Sequence, residues 1–248
     1  MPFQNYSLHQ LGWRPQYARE LALDDFEAGY PARVTALRHG SVSLLSSRGA
    51  GTAALAWHLA GAGIVPGDWV MVARAGGCVS TLLPRHSLLA PAAANLDTVF
   101  VTGTVGPGLD VPRLQRDLAL ARAAGIAPVL VLDGVGRTGD APARLDALRR
   151  WLPVADAVAL DGADPCAATR LAPWLEPGCT VAFLGGAPAL SARLAATGMR
   201  HGTMIATAGG AWVVDMPASR PPLVCEEPEA CPVAPVKRVA SAGLAGRT

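Results

Sequence analysis

The chain has 248 residues, enough for one large or two modest hydrophobic cores, and two are expected. Hydrophobic residues make up 51% of it but aromatics only 5%, so alanine and glycine supply much of the apolar content; that suits close packing of strands and helices and argues against an aromatic-rich binding surface. A formal net charge of +2 is too small to demand a nucleic-acid or membrane partner, although it leaves room for a local basic patch.

The opening MPFQNYSLHQ lacks a charged segment followed by an apolar run, and the longest apolar stretch, Thr52 to Val65, is interrupted by His58, Gly61 and Gly63. A soluble, cytoplasmic chain is expected. Cationic side chains are almost all arginine, with Lys237 the one lysine, a bias that points to a GC-rich bacterial genome. The five cysteines (Cys78, Cys166, Cys179, Cys225 and Cys231) are odd in number and mostly far apart, unlike a secreted disulfide framework, and are expected to be mostly reduced and buried.

Ser7 to Phe26 reads as an arm or short helix packed on the β-rich segment C-terminal to it. From Pro31 to Arg85 come five short strands separated by glycine turns: PARVTALRHG, SVSLLSSRG, GTAALAWHLAGAG, GDWVMVARAGG and CVSTLLPRH. This spacing predicts a small barrel of the OB type, and periodicity alone admits an SH3-like barrel equally. After Ala90 strands alternate with helices. A strand at Thr98 to Thr102 is followed by Asp110-Val-Pro, an N-cap with proline in the first turn, and a helix to Gly125 that buries Leu114, Leu118 and Ala121 while Arg113, Arg116 and Asp117 point away. Further strands are predicted at Pro128 to Leu132, Ala155 to Leu160 and Thr180 to Leu184. Helices are predicted from Asp140 to Trp151, Pro165 to Leu175 and Pro188 to Thr197. Thr203 to Thr207 and Ala211 to Asp215 flank Gly209-Gly210 as a tight hairpin. The second unit is therefore an open α/β sheet. Beyond Pro217 the chain is proline-rich and lacks periodicity, and a loosely ordered tail is expected.

Several segments, in order, resemble the ribosome small-subunit-dependent GTPase A family, the circularly permuted RsgA/YjeQ type. They are SLHQLGW at 7 to 13, PARV at 31 to 34, PGDWVMV at 66 to 72, LLPRHSLL at 82 to 89, AANLDTVFV at 93 to 101, PRLQRDLALARAAGIAPVLVLD at 112 to 133, WLEPGCTVAFLGG at 174 to 186 and WVVDMP at 212 to 217. The resemblance implies a β plus α/β fold: an N-terminal arm and OB-like barrel at 1–90, a permuted P-loop GTPase-like α/β domain at 91–218, and at 219–248 a tail in place of a truncated zinc-binding extension.

The same resemblance identifies what is missing. A phosphate-binding loop needs glycines so that backbone N–H groups converge on the phosphates, a lysine to reach their oxygens, and a hydroxyl for Mg²⁺. The matching stretch runs from Gly185-Gly186 to Leu194. In it Leu190 replaces the second required glycine, Ser191 stands at the lysine position and Ala192 at the magnesium position, and Pro188 removes an N–H. Guanine specificity would rest on an Asn-Lys-x-Asp run. Here Asp133-Gly-Val-Gly136 puts Gly136 where the base-reading aspartate should be, and Val158-Ala-Leu160 falls where a supporting Ser-Ala loop is expected. Switch fragments survive as Arg200-His201 and Asp215-Met-Pro-Ala218. Cys225 and Cys231 resemble the last two of four zinc ligands, half of a structural site.

The expected function is therefore a pseudo-GTPase without GTP, Mg²⁺ or zinc. It would derive from a ribosome-biogenesis GTPase and act as a non-hydrolysing scaffold or RNA-binding protein on the small ribosomal subunit or another protein. Two other readings are an enzyme that reuses the vacated cleft for a small apolar ligand, and a residual GTPase of ribosome assembly. No residue is assigned a catalytic role. His39, His58 and His86 lack acidic or thiol partners at metal spacing and read as surface or hydrogen-bonded core histidines. GGAPALSAR around Ser191 is not a nucleophile elbow.

Overall fold

The computed structural model describes residues 5–89, 91–106, 109–134, 141–152 (backbone alone for 141–144), 156–162, 164, 166–185, 190, 192–194 and 198–215. The first unit is an antiparallel sheet of β1 (Gly29–Arg38), β2 (Ser41–Ser46), β3 (Gly49–Ala54), β4 (Trp69–Ala73) and β5 (Val79–Leu82), in the spatial order β3-β2-β1-β4-β5. A parallel bridge between Leu55, just past β3, and Val79 of β5 brings the two outer strands together. Alternation drives this curl, because Ala32, Val34, Val42, Leu44, Val70, Val72 and Val79 all turn into one apolar cluster. The segment GTAALAWHLAGAG is a strand only to Ala54. Trp57–Leu59 then forms a 3₁₀ turn that carries Leu59 into the cluster.

The second unit is a seven-stranded sheet. It comprises β8 (Thr98–Thr104), β9 (Ala127–Asp133), β10 (Asp156–Leu160), β11 (Thr180–Leu184), β12 (Met199–His201), β13 (Met204–Ala206) and β14 (Trp212–Val214), in the order β10-β9-β8-β11-β14-β13-β12. The five strands from β10 to β14 run parallel, and β13 and β12 are antiparallel additions. The unbroken apolar runs of β8, β9 and β11 follow from burial on both faces.

The first long helix, Val111–Ala123, begins as its sequence predicts: the Asp110 carboxylate accepts the Arg113 N–H at 2.9 Å, and Leu114, Leu118 and Ala121 are buried. A second helix, Ala141–Trp151, follows β9. The expected helix near Pro165 is a 3₁₀ run, Ala167–Trp174, with Pro173 inside it; proline offers no N–H to continue an α-helical ladder. Strand β12 and a small hairpin of β6 (Leu88–Leu89) and β7 (Ala93–Ala94) are not evident in the periodicity, because two or three residues carry no period. Among the cysteines, Cys78 is buried as expected, whereas Cys166 is exposed and Cys179 only half-buried.

The two sheets and the arm meet around buried polar groups. Arg33 is 2% exposed and bridges all three: its Nη1 donates to the Leu11 carbonyl of the arm at 2.6 Å and its Nη2 to Thr180 Oγ1 of β11 at 2.7 Å. Burial pulls its pKa down to about 10, so the guanidinium stays charged at neutral pH. The arm thus packs on both units, since Trp212 Nε1 of β14 also donates to the Gln10 carbonyl at 2.8 Å. Asp68, fully buried, takes a bidentate pair from Arg85 at 2.6 and 2.7 Å and the Val65 N–H at 2.8 Å. Asn95, in the left-handed region at φ 57°, accepts the His86 N–H and donates to the Gly67 carbonyl. A register shift in β1 between Val34 and Ala36 leaves the Thr35 carbonyl turned outward. There it accepts both N–H and Oγ1 of Thr203, at 2.9 and 2.7 Å, and so docks the β12–β13 turn on the first sheet.

His86 gives this junction a pH dependence. Its Nε2 donates to the Leu96 carbonyl at 3.1 Å, which leaves Nδ1 to accept the Tyr17 hydroxyl at 2.8 Å. Burial lowers the His86 pKa, and the opposing attraction of Asp97 is smaller; Arg14 and Arg33 push the same way as burial. The folded state therefore refuses a proton that the unfolded chain accepts near pH 6.5, so stability is complete above that pH and falls as acid is added down to the folded pKa. Urea unfolding at stepped pH is expected to show this decline in the wild type and a flatter profile in His86→Gln. Equal slopes in the two proteins would remove His86 as its source.

Candidate functional site

In an open α/β sheet, ligands sit beyond the carboxyl ends of the strands where the strand order reverses, which here is the crevice between β8 and β11. Gly185 leaves β11 at that point with φ 93°, a conformation that favours glycine. Arg113 crosses from the first turn of its helix to the same place. Its Nη2 donates to the Thr102 carbonyl at 2.7 Å and its Nη1 faces Asp117 at 3.4 Å. A Cβ on Gly185 would run into the Arg113 guanidinium and would lie 2.7 Å from the Thr102 oxygen. Arg113, expected to point away from the sheet, instead lies half-buried across the crevice. The available signal was its position, one turn after the cap of the helix that follows β8. Burial raises the pKa of its neighbour Asp117, an effect the nearby Arg113 charge partly offsets.

The other predicted positions are dispersed. Leu190 is fully buried in an apolar cluster with Phe100, Val131, Val181 and Val213. Ala192 is exposed. Asp133 ends β9, and its carboxylate accepts the Gly162 N–H at 2.6 Å. Val158 to Leu160 are strand, paired with Val131 to Asp133, so the loop after β10 begins at Asp161-Gly162. Gly136, Gly186 and Ser191 lie outside the described residues, as do Cys225 and Cys231.

The residues expected to be switch fragments form two separate contacts. Arg200 Nη1 pairs with the Asp215 carboxylate at 2.9 Å, both half-exposed, while the Asp215 N–H donates to the Thr203 carbonyl. His201 faces the arm, with its Nε2 3.3 Å from the Tyr6 hydroxyl and its ring against Trp212, and burial lowers its pKa. Among the described residues, no group of three or more His, Cys, Asp or Glu side chains is placed to hold a metal ion, and no helix is long and apolar enough to cross a membrane.

The segments that carry the family resemblance converge elsewhere. Arg33, Gly67, Asp68, Arg85, His86, Asn95 and Asp97 make the polar junction between the sheets, where Asp97 also accepts the Thr180 N–H at 2.7 Å and pairs with Arg14.

No family model matches the chain. It is 33% identical over 140 residues to the small ribosomal subunit biogenesis GTPase RsgA 2 of Vibrio vulnificus, covering 52% of this chain and 39% of that one. It is 32% identical over 161 residues to the small ribosomal subunit biogenesis GTPase RsgA of Mesorhizobium japonicum, covering 60% and 46%. Each match thus spans less than half of the relative's own length. Among solved structures, YjeQ from Thermotoga maritima superposes with a TM-score of 0.62 at 18% identity, over 75% of this chain and 74% of that one. YloQ, a circularly permuted GTPase, does so with a TM-score of 0.58 at 17% identity, over 76% and 71%.

Proposed function

Because the chain belongs to the family of the RsgA-type, circularly permuted small ribosomal subunit biogenesis GTPases, we propose that it is a pseudo-GTPase, a non-hydrolysing scaffold working on the small ribosomal subunit in the cytoplasm. The observation that carries this reading is Leu190. A side chain with no exposure, held in an apolar cluster, stands where a phosphate loop needs a glycine whose backbone can approach the ligand. The Arg113 guanidinium over Gly185 supports it, as do Ser191 and Ala192 at the lysine and magnesium positions. Gly136 removes the base-reading carboxylate. We read the first sheet, with its order β3-β2-β1-β4-β5 and its Leu55–Val79 parallel bridge, as an OB-type barrel within residues 1–90. Residues 91–218 are then the permuted domain, and 219–248 replace a zinc extension.

Charge-assisted hydrogen bonds contribute roughly 1.5–3 kcal/mol each, so losing three of them weakens nucleotide binding on the order of a thousandfold or more. Isothermal titration with GTP, GDP and a non-hydrolysable analogue, with and without Mg²⁺, is expected to give no heat at micromolar nucleotide. Magnesium-dependent micromolar binding would overturn the pseudo-GTPase reading. Co-sedimentation tests the scaffold separately: enrichment with 30S particles is expected, and its absence counts against the ribosomal partner.

A further inference from the structure

Residues 13–22 of the arm bury a single side chain, Tyr17, which is 1% exposed. The chain is anchored on either side of this stretch. Before it, Arg33 holds the Leu11 carbonyl; after it, Arg74 donates to the Phe26 and Glu27 carbonyls of the short helix Leu23–Ala28 at 3.2 and 3.0 Å. A segment with so little buried surface between fixed ends opens locally at lower cost than the sheets it covers. Tyr17 pins it down: its ring packs against Trp13 and Trp69, with centroids 5.5 and 5.8 Å away, and its hydroxyl meets His86 Nδ1 at 2.8 Å. Beneath it the Trp69 indole N–H is buried with no hydrogen-bond partner among the described residues, a donor that opening would return to water.

We propose that residues 13–22 form a strap that opens as a unit while both sheets stay folded, and that a proton on His86 releases it. With the imidazole neutral, Nε2 donates to the Leu96 carbonyl and Nδ1 accepts the Tyr17 hydroxyl. Protonation puts a hydrogen on Nδ1 as well, so the two groups present donors to each other. The hydroxyl must turn, and its hydrogen has no second acceptor among the described residues. Tyr17 cannot escape by ionising, because burial pushes its pKa up to about 12. The charges around the ring act in the same direction. Arg14 of the arm and Arg33 of β1 oppose a proton there, and Asp97, just before β8, favours it with Oδ1 3.6 Å from Nε2. Arg85, next in the chain, is engaged by Asp68, and the first long helix meets His86 through Gly125, at the backbone carbonyl. Asp97 already pairs with Arg14 and accepts the Thr180 N–H, so an imidazolium competes with Arg14 of the strap for the same carboxylate. Protonation thus weakens two of the strap's polar contacts and leaves the anchors at Leu11, Phe26 and Glu27 in place.

The test is amide hydrogen exchange of the full chain, followed by mass spectrometry and corrected for the intrinsic exchange rate at each pH. Global unfolding also exposes His86, so β9 serves as the reference for it. Peptides from residues 13–22 are expected to open far more often than those of β9. They should also open about 3- to 10-fold more often near pH 5.5 than near pH 7.5, since an exposed imidazole titrates around 6.5. His86→Gln keeps an acceptor for Tyr17 and a donor for Leu96 without titrating, and should flatten this dependence. Should that variant misfold, Tyr17→Phe removes the latch from the other side and should open the strap about 2- to 10-fold more often near pH 7.5. Equal opening of the strap and β9, an unchanged pH profile in His86→Gln, or an undisturbed strap in Tyr17→Phe would each overturn the proposal.

Discussion

Arg33→Met is expected to lower the unfolding free energy by about 3–6 kcal/mol, the sum of two hydrogen bonds from a charged donor at roughly 1.5–3 kcal/mol each. Those bonds reach the Leu11 carbonyl and Thr180 Oγ1, and the longer contacts to the Gly67 and Asn95 carbonyls add little at 3.4 Å. Methionine fills the volume beside Trp69 but offers no donor, so the Leu11 carbonyl is left buried without its partner. For a chain of this length the thermal midpoint should fall by roughly 6–24 °C. Arg33→Lys should recover part of the loss, since a compact ammonium cannot span the arm and β11 together. Chemical denaturation monitored by tryptophan fluorescence and circular dichroism decides it. A midpoint within error of wild type in Arg33→Met would mean that the three elements are held by apolar packing alone.

Gly67→Ala should be of similar size, about 2–5 kcal/mol, from two independent costs: roughly 1–2 for a Cβ in the left-handed region and roughly 1–3 for overpacking. Gly67 has φ 92°, and its added Cβ would run into the Ala94 backbone carbonyl, which cannot rotate away as a side chain could. Gly63 provides the control. It also has positive φ, 58°, but a Cβ there meets nothing within 4 Å, so Gly63→Ala should incur only the backbone cost. Equal destabilisation by the two variants would show that the close approach to Ala94 is not what requires glycine.

These two residues also mark how far the family resemblance could be read. PARV and PGDWV were legible as shared segments, but nothing in them says whether they touch a ligand or hold the fold. In the structure Arg33, Gly67 and Asp68 lie in the junction between the sheets, and their bonding partners are up to 147 residues away. The departures from a phosphate loop that we propose at Leu190 and Ala192 were equally legible in the sequence. That Leu190 enters an apolar cluster and that Arg113 lies over Gly185 were not, because each depends on contacts between separate elements.

The sequence by itself determined the elements that carry their own signal. Glycine turns at short spacing marked the five strands of the first sheet, and Asp110 with Pro112 marked the start of a helix whose buried stripe is Leu114, Leu118 and Ala121. The tertiary structure decided whatever depends on pairs distant in the chain. It set the 3₁₀ form of Ala167–Trp174, the short strand β12 and the outward Thr35 carbonyl that receives Thr203. It also made the arm a bridge between the sheets. The physical reason is one of range: periodicity and capping act within a few residues, whereas burial of a cation or a bulge exists only once distant strands are in register.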